Sequence, residues 1–299
     1  MSILQKQDRG SDKGNTNQDV LTDAYEQTLT RINNQRPGLR KLAIDVLSWI
    51  TCAKQRLTTR ELQHALATTA GKSSLDPGDL LHVEDMVSVC AGLVTVDKGS
   101  SVIRLVHYTT QEYLERTRQQ WFPNADSVIT TACITYLSFS TFEEGFCKRD
   151  REFEKRLQSN PLYGYAAQNW GYHASNDPDS VPLVLGFLES KACLEPSSQT
   201  LMAAKRYSSH ERYSQEAPRK VTGLHLAGYF GATKVADALL KLGHLPDIKD
   251  TYGRTPLWYA SKNGHEDVMG LLIAAGAAAN TCSSRDGWTA LQRAVKAVI

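Results

Sequence analysis

One six-residue phrase recurs three times near the end of the chain and constrains the fold more than any other feature. Thr222-Gly223-Leu224-His225-Leu226-Ala227 is followed by Thr255-Pro256-Leu257-Trp258-Tyr259-Ala260, and then by Thr289-Ala290-Leu291-Gln292-Arg293-Ala294. The first two copies begin 33 residues apart and the last two 34. Gly231 and Gly264, the pairs Leu239-Leu240 and Leu272-Ile273, and Gly243 and Gly276 keep the same beat. Each position has a mechanical role. Thr255 can cap a helix through its side-chain oxygen. Pro256 follows at the first helical position, where its missing N–H costs nothing. Leu257 and Ala260 share a face, and the small alanine admits a paired helix. Gly243 and Gly276 stand where a left-handed residue ends a helix. Asp250-Thr251-Tyr252-Gly253 is turn chemistry leading into the next unit. Stacked helical pairs are therefore expected from residue 219 onward.

The phrase and its period resemble the ankyrin repeat. The resemblance implies a protein-binding surface, and it moves the expectation from enzyme to interaction protein. It also implies that His225 bonds between neighbouring turns. Three departures matter. Gly223 takes the place of the usual Pro, which weakens the start of the first unit. One extra residue lies between Gly276 and Gly287. The third unit reaches Ile299 before any second helix. Leu291, Ala294, Val295 and Val298 would then lack a partner, because arrays of this kind need about three units or a cap. The expectation is about two units and a partial third, truncated relative to a longer array. Whatever precedes residue 219 must cap the N-terminal side.

Composition adds limits. The chain has 299 residues and a formal net charge of +2, so bulk electrostatics makes no case for nucleic acid or membrane. Residues 5–19 are polar, and 1–19 read as a disordered tail. No stretch approaches the run of about 18 apolar residues that a membrane span requires. The cysteines at 52, 90, 133, 147, 193 and 282 form no CxxC pair, and no N-x-[ST] sequon occurs. The first feature fits free thiols in a reducing compartment, and the second an intracellular site. A cytoplasmic location is expected, with the nucleus left open.

The first half reads as a winged helix over 20–120. Apolar side chains at 39, 42, 43, 46, 47, 50 and 53 make a helical stripe. Thr58-Thr59-Arg60-Glu61 is a capping box ahead of Leu62, Ala65 and Leu66. A third helix is expected from Asp79 to Ala91, with Leu80, Val83, Val87 and Cys90 or Ala91 inward. The runs 93–97 and 102–107 flank Lys98-Gly99-Ser100-Ser101 as a hairpin. Thr109-Thr110-Gln111-Glu112 is a second capping box, opening a helix through Arg118.

The run Cys90-Ala91-Gly92-Leu93-Val94-Thr95-Val96-Asp97 and the run Arg104-Leu105-Val106-His107-Tyr108-Thr109-Thr110-Gln111-Glu112-Tyr113-Leu114 carry a second resemblance. They resemble the winged-helix region that follows the NACHT ATPase domain in fungal NTPases with ankyrin tails, the GPI inositol-deacylase winged-helix domain. Tyr25-Glu26-Gln27-Thr28-Leu29, Leu57 to Leu62, and Pro161 to His173 fit the same family. The ATPase itself does not carry over. A phosphate-binding loop needs glycine at the position Leu66 occupies ahead of Gly71-Lys72-Ser73. DNA reading is also unfavourable, because Asp79, Glu84 and Asp85 are the only charges between Asp79 and Gly92.

Residues 121–218 read as a helical connector. Ala125 to Phe142 is a buried helix, and 142–153 a loop with a short helix. Tyr163, Ala166, Ala167 and Trp170 form a core stripe, and further helices span Val181 to Lys191 and Thr200 to Tyr207. No G-x-S-x-G elbow and no H-E-x-x-H occurs, so no catalytic, cofactor or metal residue is assigned. His107, Cys90 and Cys133 read as structural. The fold class is mainly α: a winged-helix domain with a small β-hairpin, a helical connector, and truncated ankyrin repeats over 219–299. The expected function is a non-catalytic protein-interaction or scaffold module. A nucleic-acid-binding winged-helix protein is the alternative, and a subunit regulating a separate NTPase is a remote third. The expected partner is a protein, with no nucleic acid, membrane or small-molecule substrate. The candidate contact residues are Asp250, Tyr252 and Arg254 on the finger, with Asp247 and Lys249 beside them. Trp258, Tyr259 and Lys262, with Asn263, supply the first helix. All are expected to be exposed, and Tyr, Trp and Arg are the residue types that anchor interfaces.

Overall fold

The structure is a computed structural model that describes residues 12–175, 177–285, 287–290 and 292–293. The expectations for Leu291, Ala294, Val295 and Val298 lie outside the described residues. The chain divides into two compact units, one built from residues up to 59 together with 81–123, the other from 60–80 together with 124–299.

In the first unit, α1 (Asp12–Asn33) buries Leu29 and Ile32. Residues 12–19 belong to this helix and not to the expected disordered tail. Once later turns are anchored, extending a helix through polar residues costs little compared with starting one. Pro37 opens α2 (Pro37–Cys52), which buries Ala43, Val46, Leu47 and Trp49, while Leu39 faces solvent. Helix α3 (Thr59–Ala67) starts at the edge of this unit and then belongs to the second. The expected third helix is shorter than its sequence pattern. A single 3-10 turn spans Pro77–Asp79, and α4 (Val83–Ser88) follows. The residues it brings inward are Met86, Val89 and Cys90. Ala91 and Gly92 both have positive φ (50° and 86°), which turns the chain out of the helix into the wing.

The wing pairs β1 (Val94–Val96) with β2 (Ile103–Leu105) in antiparallel register, Thr95 opposite Arg104. Helix α5 (Tyr108–Arg116) is capped by His107, whose Nδ1 accepts from the Thr109 N–H, and not by the expected Thr109 box. The short α6 (Arg118–Trp121) closes the unit.

The second unit is helical. It contains α7 (Ala125–Leu137), α8 (Asp150–Ser159), α9 (Pro161–Ala174), α10 (Val181–Glu189) and α11 (Lys191–Met202). Two helix pairs follow: α12 (Gly223–Phe230) with α13 (Thr233–Lys241), and α14 (Pro256–Asn263) with α15 (Glu266–Ala274). Helix α11 overturns the expected helix at 200–207, which ends at Met202. It tolerates Pro196 because packing outweighs the missing N–H. Gln199 is fully buried, accepts from the Cys147 N–H (2.8 Å), and donates to the carbonyls of Cys147 (3.0 Å) and Ser214 (3.1 Å).

Trp170 on α9 is the hub of this unit, with the Phe187 and Phe230 rings 5.7 and 4.9 Å from it, edge to face. Gly171 makes room, since a Cβ there would lie 2.1 Å from a Phe230 ring carbon. Helices α9 and α10 thus pack on the first repeat pair, the role of a cap. Gly223 is no mere weakness. A Cβ there would meet Leu188 of α10 at 2.9 Å, so the glycine permits the close approach, while Thr222 and His225 complete the capping box.

Candidate interaction surface

The repeat phrase builds the surface from its caps outward. Thr255 Oγ1 accepts from the Trp258 N–H (3.3 Å), and Pro256 occupies the first turn of α14. Gly231 and Gly264 end α12 and α14 at φ 72° and 74°. His225 is fully buried. Its Nδ1 accepts from the Thr222 N–H (3.0 Å) and its Nε2–H donates to the Arg254 carbonyl (3.1 Å). The imidazole of one unit therefore holds the finger of the next.

That finger is organised by Asp250. One carboxylate oxygen accepts from the N–H groups of Tyr252 (2.8 Å) and Arg254 (2.9 Å), and the other accepts from the Tyr259 hydroxyl (2.7 Å). Burial, followed by the neighbouring Asp250 charge, pushes the Tyr259 hydroxyl well above its ordinary range. Asp250, Trp258 and Tyr259 are 5, 2 and 2% exposed, which corrects the expectation that they present themselves to a partner. A buried finger carboxylate needs donors, and the backbone turn plus Tyr259 supply them.

What reaches the surface is a layer of cations lying on aromatic faces. The guanidinium of Arg254 lies 4.3 Å from the Trp258 ring centre and 5.1 Å from that of Tyr252. Lys262 lies 5.7 Å and Arg293 5.0 Å from Trp258; Arg293 also sits 4.8 Å from Trp288, and Arg285 sits 4.4 Å from Tyr252. Four of the six candidate residues (Tyr252, Arg254, Trp258 and Lys262) thus meet in one cluster, with Trp258 as its floor. Asp250 and Tyr259 support it from beneath. Arg285, Trp288 and Arg293 were not anticipated. Arg254 and Trp288 each stand directly before the repeated threonine, so aligning the repeats signals the position.

Glu216 anchors the outer edge. Its carboxylate takes Arg285 (3.1 Å) and His210 (3.2 Å), and the Tyr252 hydroxyl donates to its carbonyl. Hydrogen bonds from His210 and then Arg285 hold this exposed carboxyl below the usual range. Elsewhere, polar groups serve structure. His173 joins Asp126 (2.7 Å) to Tyr165 (3.0 Å), and Lys72 of the Gly-Lys-Ser loop pairs with Asp79 (2.8 Å). Burial pushes the Cys90 thiol up to about 12. Among the described residues, no group of three His, Cys, Asp or Glu could hold a metal ion, and no helix is long and apolar enough to cross a membrane.

Comparison with known proteins agrees with both halves of the chain. Residues 30–130 match the family model "GPI inositol-deacylase, winged helix domain", and residues 224–297 match "Ankyrin repeats (3 copies)". The azaphilone pigments biosynthesis cluster protein L of Monascus ruber is 27% identical over 148 residues, 44% of this chain and 30% of the relative. A glycerophosphocholine phosphodiesterase of Schizosaccharomyces pombe is 37% identical over 75 residues, 25% of this chain and 6% of the relative. The human transient receptor potential cation channel subfamily A member 1 is 39% identical over 83 residues, 25% of this chain and 7% of the channel. The chain spans less than a third of the length of these relatives.

Proposed function

From a chain that carries a GPI inositol-deacylase-type winged-helix domain followed by ankyrin repeats, we propose a non-catalytic interaction or scaffold module. On this reading it resembles the C-terminal half of a fungal NACHT–ankyrin signalling receptor, acts in the cytoplasm, and captures a protein through the repeat fingers. One observation carries the reading: Arg254, Lys262, Arg285 and Arg293 are laid over Tyr252, Trp258 and Trp288. Arginine and aromatic side chains anchor interfaces, and a cation held over a ring keeps a defined position before a partner arrives.

The nucleic-acid alternative is disfavoured by α4, where exposed Glu84 and Asp85 would face phosphate. A paired substitution, Arg254→Glu with Lys262→Glu, tests the reading. Partner capture by the full chain should fall sharply while far-UV circular dichroism stays unchanged. Unchanged capture would remove these fingers from the interface. ATP turnover by the purified chain would contradict the non-catalytic part.

A further inference from the structure

We infer that the groove beside the wing is a second binding site, one that takes an acidic peptide in extended conformation as an added strand on β2. This site lies wholly in the first unit and does not depend on the ankyrin reading. The backbone argument comes first. In the hairpin, the Val106 N–H bonds to the Leu93 carbonyl and the Asp97 N–H to the Val102 carbonyl, so even-numbered residues of β2 face β1. Odd-numbered residues turn their N–H and C=O groups the other way. Ile103 uses that side to donate to the Leu57 carbonyl, and Thr58 bridges Val102. Beyond this bridge, residues 53–57 and 103–108 line a groove of about 650 Å³. Leu105 presents its peptide group to that gap.

The chemistry of the walls then selects the occupant. Lys54, Arg56 and Arg104 line the groove with His107, and no Asp or Glu is among its lining residues. The hairpin's own carboxylate, Asp97, is committed at the turn, accepting from Ser100 (2.8 Å) and Gly99 (3.1 Å). Val106 and Tyr108 at the rim are 45 and 68% exposed, and the Tyr108 ring lies 4.6 Å from that of His107. Alternate side chains of an added strand would meet these apolar surfaces and the cations in turn. Duplex nucleic acid suits the site less well, because a strand-width slot with an apolar rim reads neither groove of a helix.

The test uses the full chain and a fluorescein-labelled hexapeptide alternating Glu and Val. Anisotropy titrations compare it with a Lys–Val hexapeptide, with the Glu–Val peptide N-methylated at alternate amides, and with a random DNA duplex. The expected result is saturable binding of the Glu–Val peptide, at least about tenfold stronger than either peptide control. Arg56→Glu with Arg104→Glu should abolish it. Slowed hydrogen exchange at the Leu105 amide of the unsubstituted chain gives a readout that needs no variant. No saturation below about 1 mM, equal binding of the N-methylated peptide, unchanged Leu105 exchange, or a preference for the duplex would each overturn the proposal.

Discussion

Burial holds the His225 imidazole down to about 4, against an ordinary value of 6.5, while its hydrogen bond to the Arg254 carbonyl pulls weakly the other way. The unfolded chain takes up a proton below 6.5, and the folded one does not until about 4. In that window the unfolded state binds more protons, so the stability contributed by the neutral ring is present above 6.5 and drains away as pH falls toward 4. A gap of this size corresponds to roughly 3 kcal/mol. Urea unfolding followed at pH 7 and at pH 4.5 should show a lower midpoint in acid. His225→Gln should be weaker at pH 7 and lose much of that pH dependence; an unchanged slope would contradict the assignment. Asp250 makes a separate residue-scale prediction. Its two oxygens hold Tyr252, Arg254 and Tyr259, so Asp250→Ala should cost about 2–4 kcal/mol in thermal or urea unfolding. Any loss of partner capture in that variant would follow from the opened finger, not from a lost contact.

At the scale of elements, the repeats stand or fall on close approach. A Cβ on Gly228 of α12 would come within 2.6 Å of the Pro256 carbonyl oxygen at the start of α14. Gly228→Ala should therefore destabilise by about 1–3 kcal/mol, measured by denaturant unfolding. Thr255→Ala should cost about 1 kcal/mol through the lost cap, and Thr255→Ser much less. Much of this was legible in the amino-acid order. Thr255, Pro256 and Gly264 are local signals, and each sits where its chemistry demands. The wing was equally legible, because Val94 to Val96 and Ile103 to Leu105 change the apolar period from helical to alternating. Other features were not. The burial of Asp250 depends on a hydroxyl nine positions away, and Gln199 holds α11 through Cys147, 52 positions earlier. Such bonds leave no periodicity. The third helix was overdrawn because Leu80 and Val83 continue an apolar pattern across a break that Pro77-Gly78 begins.

For the whole molecule, the proposed recognition rests on surfaces of positive charge backed by aromatic rings. Attraction to an acidic partner through exposed cations should be screened by salt. Affinity measured for the full chain should fall roughly tenfold as ionic strength rises from about 0.05 to about 0.5 M. A salt-independent affinity would point to an apolar interface elsewhere. The most direct measurement places a photo-cross-linking amino acid at position 262 of the full chain, with a second variant carrying it at exposed Ile273 on α15 as control. Irradiation in an extract from the source cells, followed by mass spectrometry, should give one discrete adduct with an acidic segment at position 262. That adduct should disappear with Arg254→Glu and Arg285→Glu. No discrete adduct, or the same adduct at both positions, would contradict the finger as the recognition face.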